Sequence, residues 1–392
     1  MRTLRRNLTI VAPAAILIAT ASWLWVSYVE PKTSLFDDDK LSENFAHMDR
    51  IFPANYIPAS SNPHVLGSSP QPLITHYTFE GALMPVRDFM ERSRTTGLLI
   101  IKNGEIAHQY LHPNYTTKTK ATSFSVAKSF VATLVGIAQD EGLLSIQDKI
   151  ASYLPTLSNS GFANATIEDV LQMSSGVAFS EVYDDRSTDS FTIFDKMFIW
   201  GQSVDSLTAS YGSARQPGTQ FEYASINTQA LSMLLREVYR KPLAEILFEK
   251  IWEPAGMSDS AFWSTDLFGA ELGFMSLNAT LTDFAKLGLL MLGEGKLNNS
   301  QIVSAEWVQK ATRPARPFLE RGQIYGKWGY QHQWWLPMGS NTDYAAIGIW
   351  GQMIYVNPEL DVVIVKTATD ADFSDHEFES IELFRQIAAS LN

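Results

Sequence analysis

A short apolar run at residues 98–101 is followed, after Lys102-Asn103-Gly104, by a run of mixed apolar and polar residues at 105–111. An Asn-Gly pair favours the left-handed backbone of a two-residue type I′ turn, and such turns join antiparallel strands. The two runs therefore predict the strands of a β-hairpin.

Strand patterns return only near the C-terminus. Residues 327–336, 349–356 and 361–367 are rich in Trp, Tyr, Val and Ile, and residues 357–360 predict a turn between the last two. Apolar residues then recur at a spacing of three or four in residues 375–391, which predicts an amphipathic helix covering one face of a sheet.

Between residues 124 and 327 the pattern favours helices, loops and turns. Strands at both ends with helices between them predict an α/β fold of the α+β type: an antiparallel sheet flanked by helices, with a mainly helical region inserted beside it. Active sites are common at such junctions.

The first thirty residues have the pattern of a membrane segment. Three arginines precede an uncharged, mostly apolar run at residues 8–29, which is long enough to cross a bilayer as one helix. This pattern predicts an inner-membrane anchor, with the rest of the chain on the exported, periplasmic side. The alternative is a cleaved signal peptide and a secreted protein, since Ala19-Thr20-Ala21 fits a cleavage site.

Residues 31–77 contain many Pro, Ser and Asn residues, which predicts an extended linker or arm with little regular structure. The expected organisation is therefore an anchor or signal segment at 1–30, an arm at 31–77 and one functional domain at 78–392.

Composition narrows the classes of function. The 392-residue chain is 45% hydrophobic and has a formal net charge of -12, so it can bury a large core but lacks the basic surface that nucleic acids require. It has no cysteine, and its seven histidines form no metal-binding motif. The sequence predicts no metal and no organic cofactor.

Lys128 is the only charged residue between Lys120 and Asp140, in a segment that is apolar on all sides and must be buried. Ser125 lies three residues earlier, so a helix beginning near Phe124 places both side chains on one face. Because burial lowers the pKa of a lysine, a neutral amine could take the serine proton. The pair predicts a nucleophile activated without histidine.

Tyr223 follows a Pro-Gly turn and precedes Ser225, which can cap a helix. A phenol can pass a proton to a leaving group when a nearby cation lowers its pKa, and Lys128 could be that cation. We predict Ser125, Lys128 and Tyr223 as the catalytic residues.

These motifs resemble the class C β-lactamase-like serine hydrolases, and among them the 6-aminohexanoate-dimer hydrolase branch. The resemblance covers about residues 80–392. The matching segments are Ser123-Phe124-Ser125-Val126-Ala127-Lys128-Ser129-Phe130, Leu171-Gln172-Met173-Ser174-Ser175-Gly176-Val177, residues 217–227, Glu253-Pro254-Ala255-Gly256-Met257, Trp328-Gly329-Tyr330-Gln331 and Gly348-Ile349-Trp350-Gly351-Gln352. The family fold, a β-lactamase/penicillin-binding-protein-like antiparallel sheet with helices, agrees with the pattern above.

The resemblance implies an acyl-enzyme on Ser125, with the backbone N–H groups of Ser125 and Ile349 forming the oxyanion hole. It implies further positions that bind substrate. These are Tyr183, which would cover the substrate, Ser225, Gly348 and Trp350. Tyr183 could equally be an ordinary loop tyrosine.

Two residues depart from the family pattern: Ala346 stands in place of a strand lysine, and Ser225 in place of an asparagine. Both weaken the case for penicillin recognition. We therefore predict a serine hydrolase that cleaves small amides or esters; the alternatives are a DD-peptidase or β-lactamase, or a non-catalytic, membrane-tethered binding protein. The acidic loop with Glu181, Asp184, Asp185 and Asp189 predicts a preference for cationic substrates.

Overall fold

The computed structural model of the chain describes residue 20, residues 29–340 and residues 342–391. The predicted membrane segment, residues 8–29, lies outside the described residues except for its positions 20 and 29. Among the residues described, no helix combines the length and the apolar character that a membrane span needs.

Fifteen strands of the described part form four antiparallel sheets. They are β1 (Ala54–Ile57), β2 (His76–Phe79), β3 (Ala82–Pro85), β4 (Thr95–Lys102), β5 (Glu105–Leu111), β6 (Ala121–Thr122), β7 (Ala261–Ser264), β8 (Leu277–Ala279), β9 (Lys296–Leu297), β10 (Ser300–Gln301), β11 (Trp328–Gln331), β12 (Trp334–Pro337), β13 (Tyr344–Gly348), β14 (Gln352–Asn357) and β15 (Val362–Ala368). The largest sheet has seven strands in the order β11-β12-β13-β14-β15-β4-β5.

Thirteen α-helices of the described part surround these sheets. They are α1 (Glu30–Thr33), α2 (Leu41–Ala46), α3 (Val86–Arg92), α4 (Ala127–Asp140), α5 (Ile150–Tyr153), α6 (Ile167–Leu171), α7 (Asp189–Phe198), α8 (Val204–Ser210), α9 (Ile226–Tyr239), α10 (Leu243–Leu247), α11 (Leu281–Leu292), α12 (Ala305–Ala311) and α13 (Phe373–Ser390). Helices α5 to α10 form the mainly helical region, so the predicted fold class is confirmed.

The large sheet is buried on both faces. Val363 and Val365 of β15 pack on the same side as α4, α9 and α11, whereas Val362 and Ile364 pack with α13 and α3 on the other side. This alternation is the two-residue period of a strand. The sheet is therefore the middle layer between two helical layers.

The predicted hairpin and the predicted final helix are confirmed. β4 pairs with β5 around Asn103 and Gly104, whose φ angles of 51° and 77° are those of a type I′ turn. α13 buries Ile381, Phe384 and Ile387 against the sheet.

The prediction of one strand at residues 327–336 is wrong, because β11 and β12 form a hairpin there. His332 and Gln333 join them with φ angles of 36° and 66°. Thr228 Oγ1 donates a hydrogen bond of 2.8 Å to Gln333 Oε1, and Gln333 Nε2 donates one of 2.7 Å to the carbonyl oxygen of Leu171. Buried tertiary hydrogen bonds stabilise this turn, so His332 and Gln333 adopt positive φ angles without glycine.

The prediction of a strand at residues 349–356 is wrong at its start. Residues Ile349–Gly351 form a short 3-10 turn, in which Trp350 has a φ of 62° and Gly351 a φ of 81°. The turn joins β13, which the hydrophobic pattern did not predict, to β14. It therefore brings Gly348 and Ile349 to the end of a strand.

The expectation of little regular structure in residues 31–77 is wrong for their first half. α1, α2 and β1 lie there, and β1 pairs with β7. The segment buries apolar side chains that the proline pattern did not reveal. These are Leu35, Leu41, Phe45, Met48, Ile51, Phe52 and Ile57.

Candidate active site

Ser125 and Lys128 lie one turn apart at the start of a buried helix. Ser125 is in the short 3-10 helix Phe124–Val126, which leads directly into α4. Lys128 is only 2% exposed. Its Nζ donates hydrogen bonds to Ser125 Oγ at 2.7 Å and to the carbonyl oxygen of Phe274 at 2.8 Å. The structure thus brings the two predicted groups into direct contact.

Burial lowers the pKa of Lys128 to about 8, although the nearby charge of Glu181 acts to raise it. A charged amine loses its hydration when it is buried, and the neutral form is favoured. A substantial neutral fraction therefore exists near pH 8. Such an amine can accept the proton of Ser125.

Tyr223 faces this pair, with Lys128 Nζ 5.2 Å from the centroid of its ring. Burial, and then the charge of Glu181, raise the pKa of Tyr223 well above its ordinary value, against the lowering effect of a hydrogen bond with Ser125. The expectation that a cation lowers the Tyr223 pKa is therefore wrong. The phenol is a neutral proton donor.

The end of β13 lies against the backbone that carries Ser125. A methyl group added at Gly348 would come within 2.6 Å of the Ser123 carbonyl oxygen and 3.0 Å of the Ser125 nitrogen. Only glycine allows this approach without displacement. Ile349, the second predicted oxyanion donor, is the next residue along the chain.

Glu181 connects two of the predicted substrate-binding residues. The Ser225 N–H donates to Glu181 Oε2 at 2.5 Å, Ser225 Oγ donates to Oε1 at 2.7 Å, and the Tyr183 hydroxyl donates to Oε1 at 2.5 Å. The sequence indicated Glu181 only as one member of an acidic loop. In the structure its carboxylate is close enough to change the pKa values of Lys128, Tyr223 and Tyr183.

Comparison with known sequences now assigns the family. The sequence profile of the β-lactamase family matches residues 86–386. The chain belongs to the β-lactamase family. It is 26% identical over 296 residues to the 6-aminohexanoate-dimer hydrolase of Paenarthrobacter ureafaciens, covering 72% of this chain and 74% of that protein.

Two further proteins match this chain at lower identity or over a shorter stretch. A solved structure, provisionally named a 6-aminohexanoate-dimer hydrolase from Bacillus anthracis, has a TM-score of 0.83 at 23% identity and covers 90% of this chain and 95% of its own. A provisionally named penicillin-binding protein of Bacillus subtilis is 26% identical over 175 residues, which is 43% of this chain and 41% of that protein.

Within this β-lactamase-family fold, the position of Ala346 carries no cation. Ala346 is buried in β13, pairs with Ile354 and packs in the hydrophobic core. The chain therefore places no cationic side chain at this position to hold a ligand carboxylate.

Trp350, predicted to bind substrate, packs against the N-terminal segment. Its indole stacks on Phe36 with ring centroids 5.4 Å apart and planes 7° apart, and it meets Phe45 edge-on at 5.5 Å. The first half of the predicted arm thus reaches the turn that contains Ile349.

Glu377 on α13 is a site residue that the sequence reasoning missed. Burial raises the pKa of its carboxyl to about 8, against the lowering effect of Lys366. When it is ionised, its negative charge also raises the pKa values of Tyr183, Tyr223 and Tyr325. The amphipathic pattern of the last helix indicated only packing, so no sequence signal separated Glu377 from ordinary surface glutamates.

Aromatic rings form one wall of the site. Trp335 stacks on Tyr223 at 5.5 Å, Phe221 lies 5.1 Å from Tyr330, and Tyr330 lies 4.9 Å from Trp335. This wall comes from the β11–β12 hairpin and the loop before α9. Across residues 29–340 and 342–391, no cluster of three or more His, Asp or Glu side chains could hold a metal ion.

Proposed function

We propose that the chain is a serine hydrolase that cleaves small amides or esters through an acyl-enzyme on Ser125. One observation supports this most directly: the Nζ of a buried lysine with a pKa of about 8 lies 2.7 Å from Ser125 Oγ. A lysine in this state is a suitable general base for a serine nucleophile.

In the proposed reaction, Ser125 Oγ attacks the substrate carbonyl carbon and its proton passes to Lys128 Nζ. Tyr223 then gives its hydroxyl proton to the leaving amine or alcohol and is reprotonated from Lys128. The backbone N–H groups of Ser125 and Ile349 stabilise the oxyanion. A water molecule then attacks the acyl carbon and passes its proton to Lys128, the bond to Ser125 Oγ breaks, and Oγ regains its proton through Tyr223 as the acid is released.

A fluorophosphonate probe tests the nucleophile. The wild-type protein is expected to be labelled at Ser125, while Ser125→Ala is expected to lose labelling and at least ~99% of hydrolysis, as when a triad nucleophile is removed. Ser129→Ala, at a neighbouring buried serine that donates to the Gln333 carbonyl oxygen, is the matched control and should keep labelling. An unlabelled, folded wild type would favour the binding-protein alternative.

The substrate class follows from charge around the site. Glu181 places a carboxylate near Tyr183 and Tyr223, and Ala346 supplies no cation for a substrate carboxylate. We propose linear amides or esters with a free amine, a class consistent with the name of the Paenarthrobacter relative.

Paired substrates test this class. Amides with a free amine are expected to have a higher kcat/KM than their N-acetylated forms, with an advantage that shrinks as salt screens the carboxylates. Benzylpenicillin should be poorer than either. A preference for benzylpenicillin, or equal rates for the paired amides at all salt concentrations, would refute the amine preference and favour a β-lactamase or DD-peptidase.

A further inference from the structure

The residues beside the two proposed oxyanion donors have an unusual backbone. Phe124, immediately before Ser125, has a φ of 41°, and Trp350, immediately after Ile349, has a φ of 62° and a ψ of 19°. Bulky residues rarely adopt the left-handed region, and they stay there only when surrounding contacts hold them. Some part of the structure must therefore stabilise both residues.

Two aromatic residues of the N-terminal segment contact them: Phe45 contacts both, and Phe36 contacts Trp350. Phe36 stacks on Trp350 at 5.4 Å, Phe45 meets Trp350 at 5.5 Å and Phe124 at 4.9 Å, and Phe36 also meets Phe45 at 6.4 Å. We call these four rings the arm cluster. One cluster thus joins the backbone before the first donor to the backbone after the second.

The N-terminal segment is itself held to the body of the protein. Asn44 Nδ2 donates to the carbonyl oxygens of Ser34 and Leu35 at 3.1 and 3.0 Å, which joins α2 to the residues before it. The Tyr115 hydroxyl donates to the Ser42 carbonyl oxygen at 2.8 Å. Asp38 also forms an ion pair with Arg94. The rings of Phe36 and Phe45 therefore have a fixed support.

The carbonyl group of Trp350 is fixed by contacts of its own. It accepts hydrogen bonds from the Asp370 N–H at 3.2 Å and from Gln352 Nε2 at 3.0 Å. These bonds hold the backbone of the turn, while the arm cluster holds its indole. The direction of the turn that begins with the Ile349 N–H therefore depends on both.

We infer that Phe36 and Phe45 are positioning residues for the oxyanion hole, acting through Trp350 and Phe124. This inference rests on the proposed function of Ser125. Oxyanion donors act only when they point at the position that the oxyanion will occupy, and small displacements reduce the rate strongly. The N-terminal segment is on this view part of the catalytic apparatus, although none of its side chains touches the substrate.

Phe36→Ala is the most direct test, because Phe36 is 40% exposed and its loss should not prevent folding. Tyr56→Ala is the matched control: Tyr56 lies in the same segment, is 66% exposed, and packs on Phe262 at 5.9 Å. The measurements are kcat and KM for 4-nitrophenyl butyrate, the inhibition constant of phenylboronic acid, and the melting temperature.

Phenylboronic acid forms a tetrahedral adduct with a serine and so reports on the oxyanion hole. Phe36→Ala is expected to lower kcat about tenfold, to leave KM within about twofold, and to weaken inhibition by phenylboronic acid about tenfold. Phe36→Trp should restore both values, and Tyr56→Ala should match the wild type.

Three outcomes would overturn the inference. In the first, Phe36→Ala keeps the wild-type kcat, and in the second it raises KM alone. In the third, Tyr56→Ala lowers kcat as much as Phe36→Ala does, with a similar melting temperature for the two variants. The third outcome would make the loss of kcat an effect of general stability. A wild-type protein that is folded but neither labelled by fluorophosphonate nor active would instead refute the proposed function, and this inference with it.

Discussion

Burial and a neighbouring carboxylate act on the pKa of Lys128 in opposite directions. Burial lowers the pKa more than the charge of Glu181 raises it, and the result is a value of about 8. Tyr223 responds differently, since burial and Glu181 both raise its pKa. The same carboxylate therefore keeps Tyr223 protonated and limits how far Lys128 loses its proton.

The pH dependence of kcat/KM should show this balance. In the proposed reaction the neutral form of Lys128 is the base, so kcat/KM is expected to rise with pH and to level off above about pH 8. Glu181→Gln removes the charge that raises the Lys128 pKa, so the rising limb should move to lower pH. Asp185→Asn, on the same loop but bonded locally to Ser187, is the control and should leave the limb in place. A rising limb that Glu181→Gln does not move would contradict this account.

The contact between Ser125 and Lys128 could be predicted from sequence, because one otherwise uncharged segment held a single lysine three residues after a serine. Glu377 could not, because its surroundings come from a helix packed against a distant loop. Trp350 was assigned to substrate binding on family resemblance. Its ring contacts depend on Phe36, and nothing in the local sequence of either residue indicates the pairing.

At the scale of elements, the sequence predicted strands that are joined by turns with typical turn residues. It missed strands whose turns are stabilised by contacts with distant parts of the chain. The Asn103-Gly104 turn of the β4–β5 hairpin is an example of the first kind. The turn at His332 and Gln333 is an example of the second, since hydrogen bonds to α6 and α9 stabilise it. The hydrophobic pattern did not predict β13, and only the family resemblance placed Ala346 on a strand, yet β13 is the strand that ends beside Ser125.

Gly348→Ala tests the packing of β13 on the nucleophile segment. The added methyl group would meet backbone atoms at 2.6 and 3.0 Å, so β13 must move and the Ile349 N–H with it. We expect kcat to fall by about a hundredfold, as for the loss of an oxyanion donor. Gly212→Ala is the matched control, because a methyl group there meets nothing within 4 Å. Equal kcat values for the two variants would show that β13 does not position the oxyanion hole.

At the scale of the whole molecule, the N-terminal segment belongs to the folded body. Phe45 is 2% exposed, Met48 and Ile57 are fully buried, and β1 adds a strand to the sheet that contains β7. Fully burying such a side chain stabilises a protein by about 1.5–3 kcal/mol. Several of them together approach the total stability of an ordinary domain, about 5–15 kcal/mol.

Two truncations should therefore behave differently. Deletion of residues 1–29 is expected to give a soluble protein that fluorophosphonate still labels at Ser125, because the buried apolar residues of the described core begin at Leu35. Deletion of residues 1–58 removes β1 together with Phe36 and Phe45 of the arm cluster, and it is expected to lower the melting temperature by at least ~10 °C or to abolish folding. Similar melting curves and labelling for both truncations would contradict this role of the segment.

The strand order of the large sheet also determines when the segments of the proposed site can come together during synthesis. β15 lies between β14 and β4, so the β4 edge of the early β4–β5 hairpin stays unpaired until β15 has been synthesised. Ser125 is likewise made long before Ile349. A nascent chain that stops before Ile349 therefore carries the proposed nucleophile without the second proposed oxyanion donor, and we expect it to stay inactive until β13 has joined the sheet.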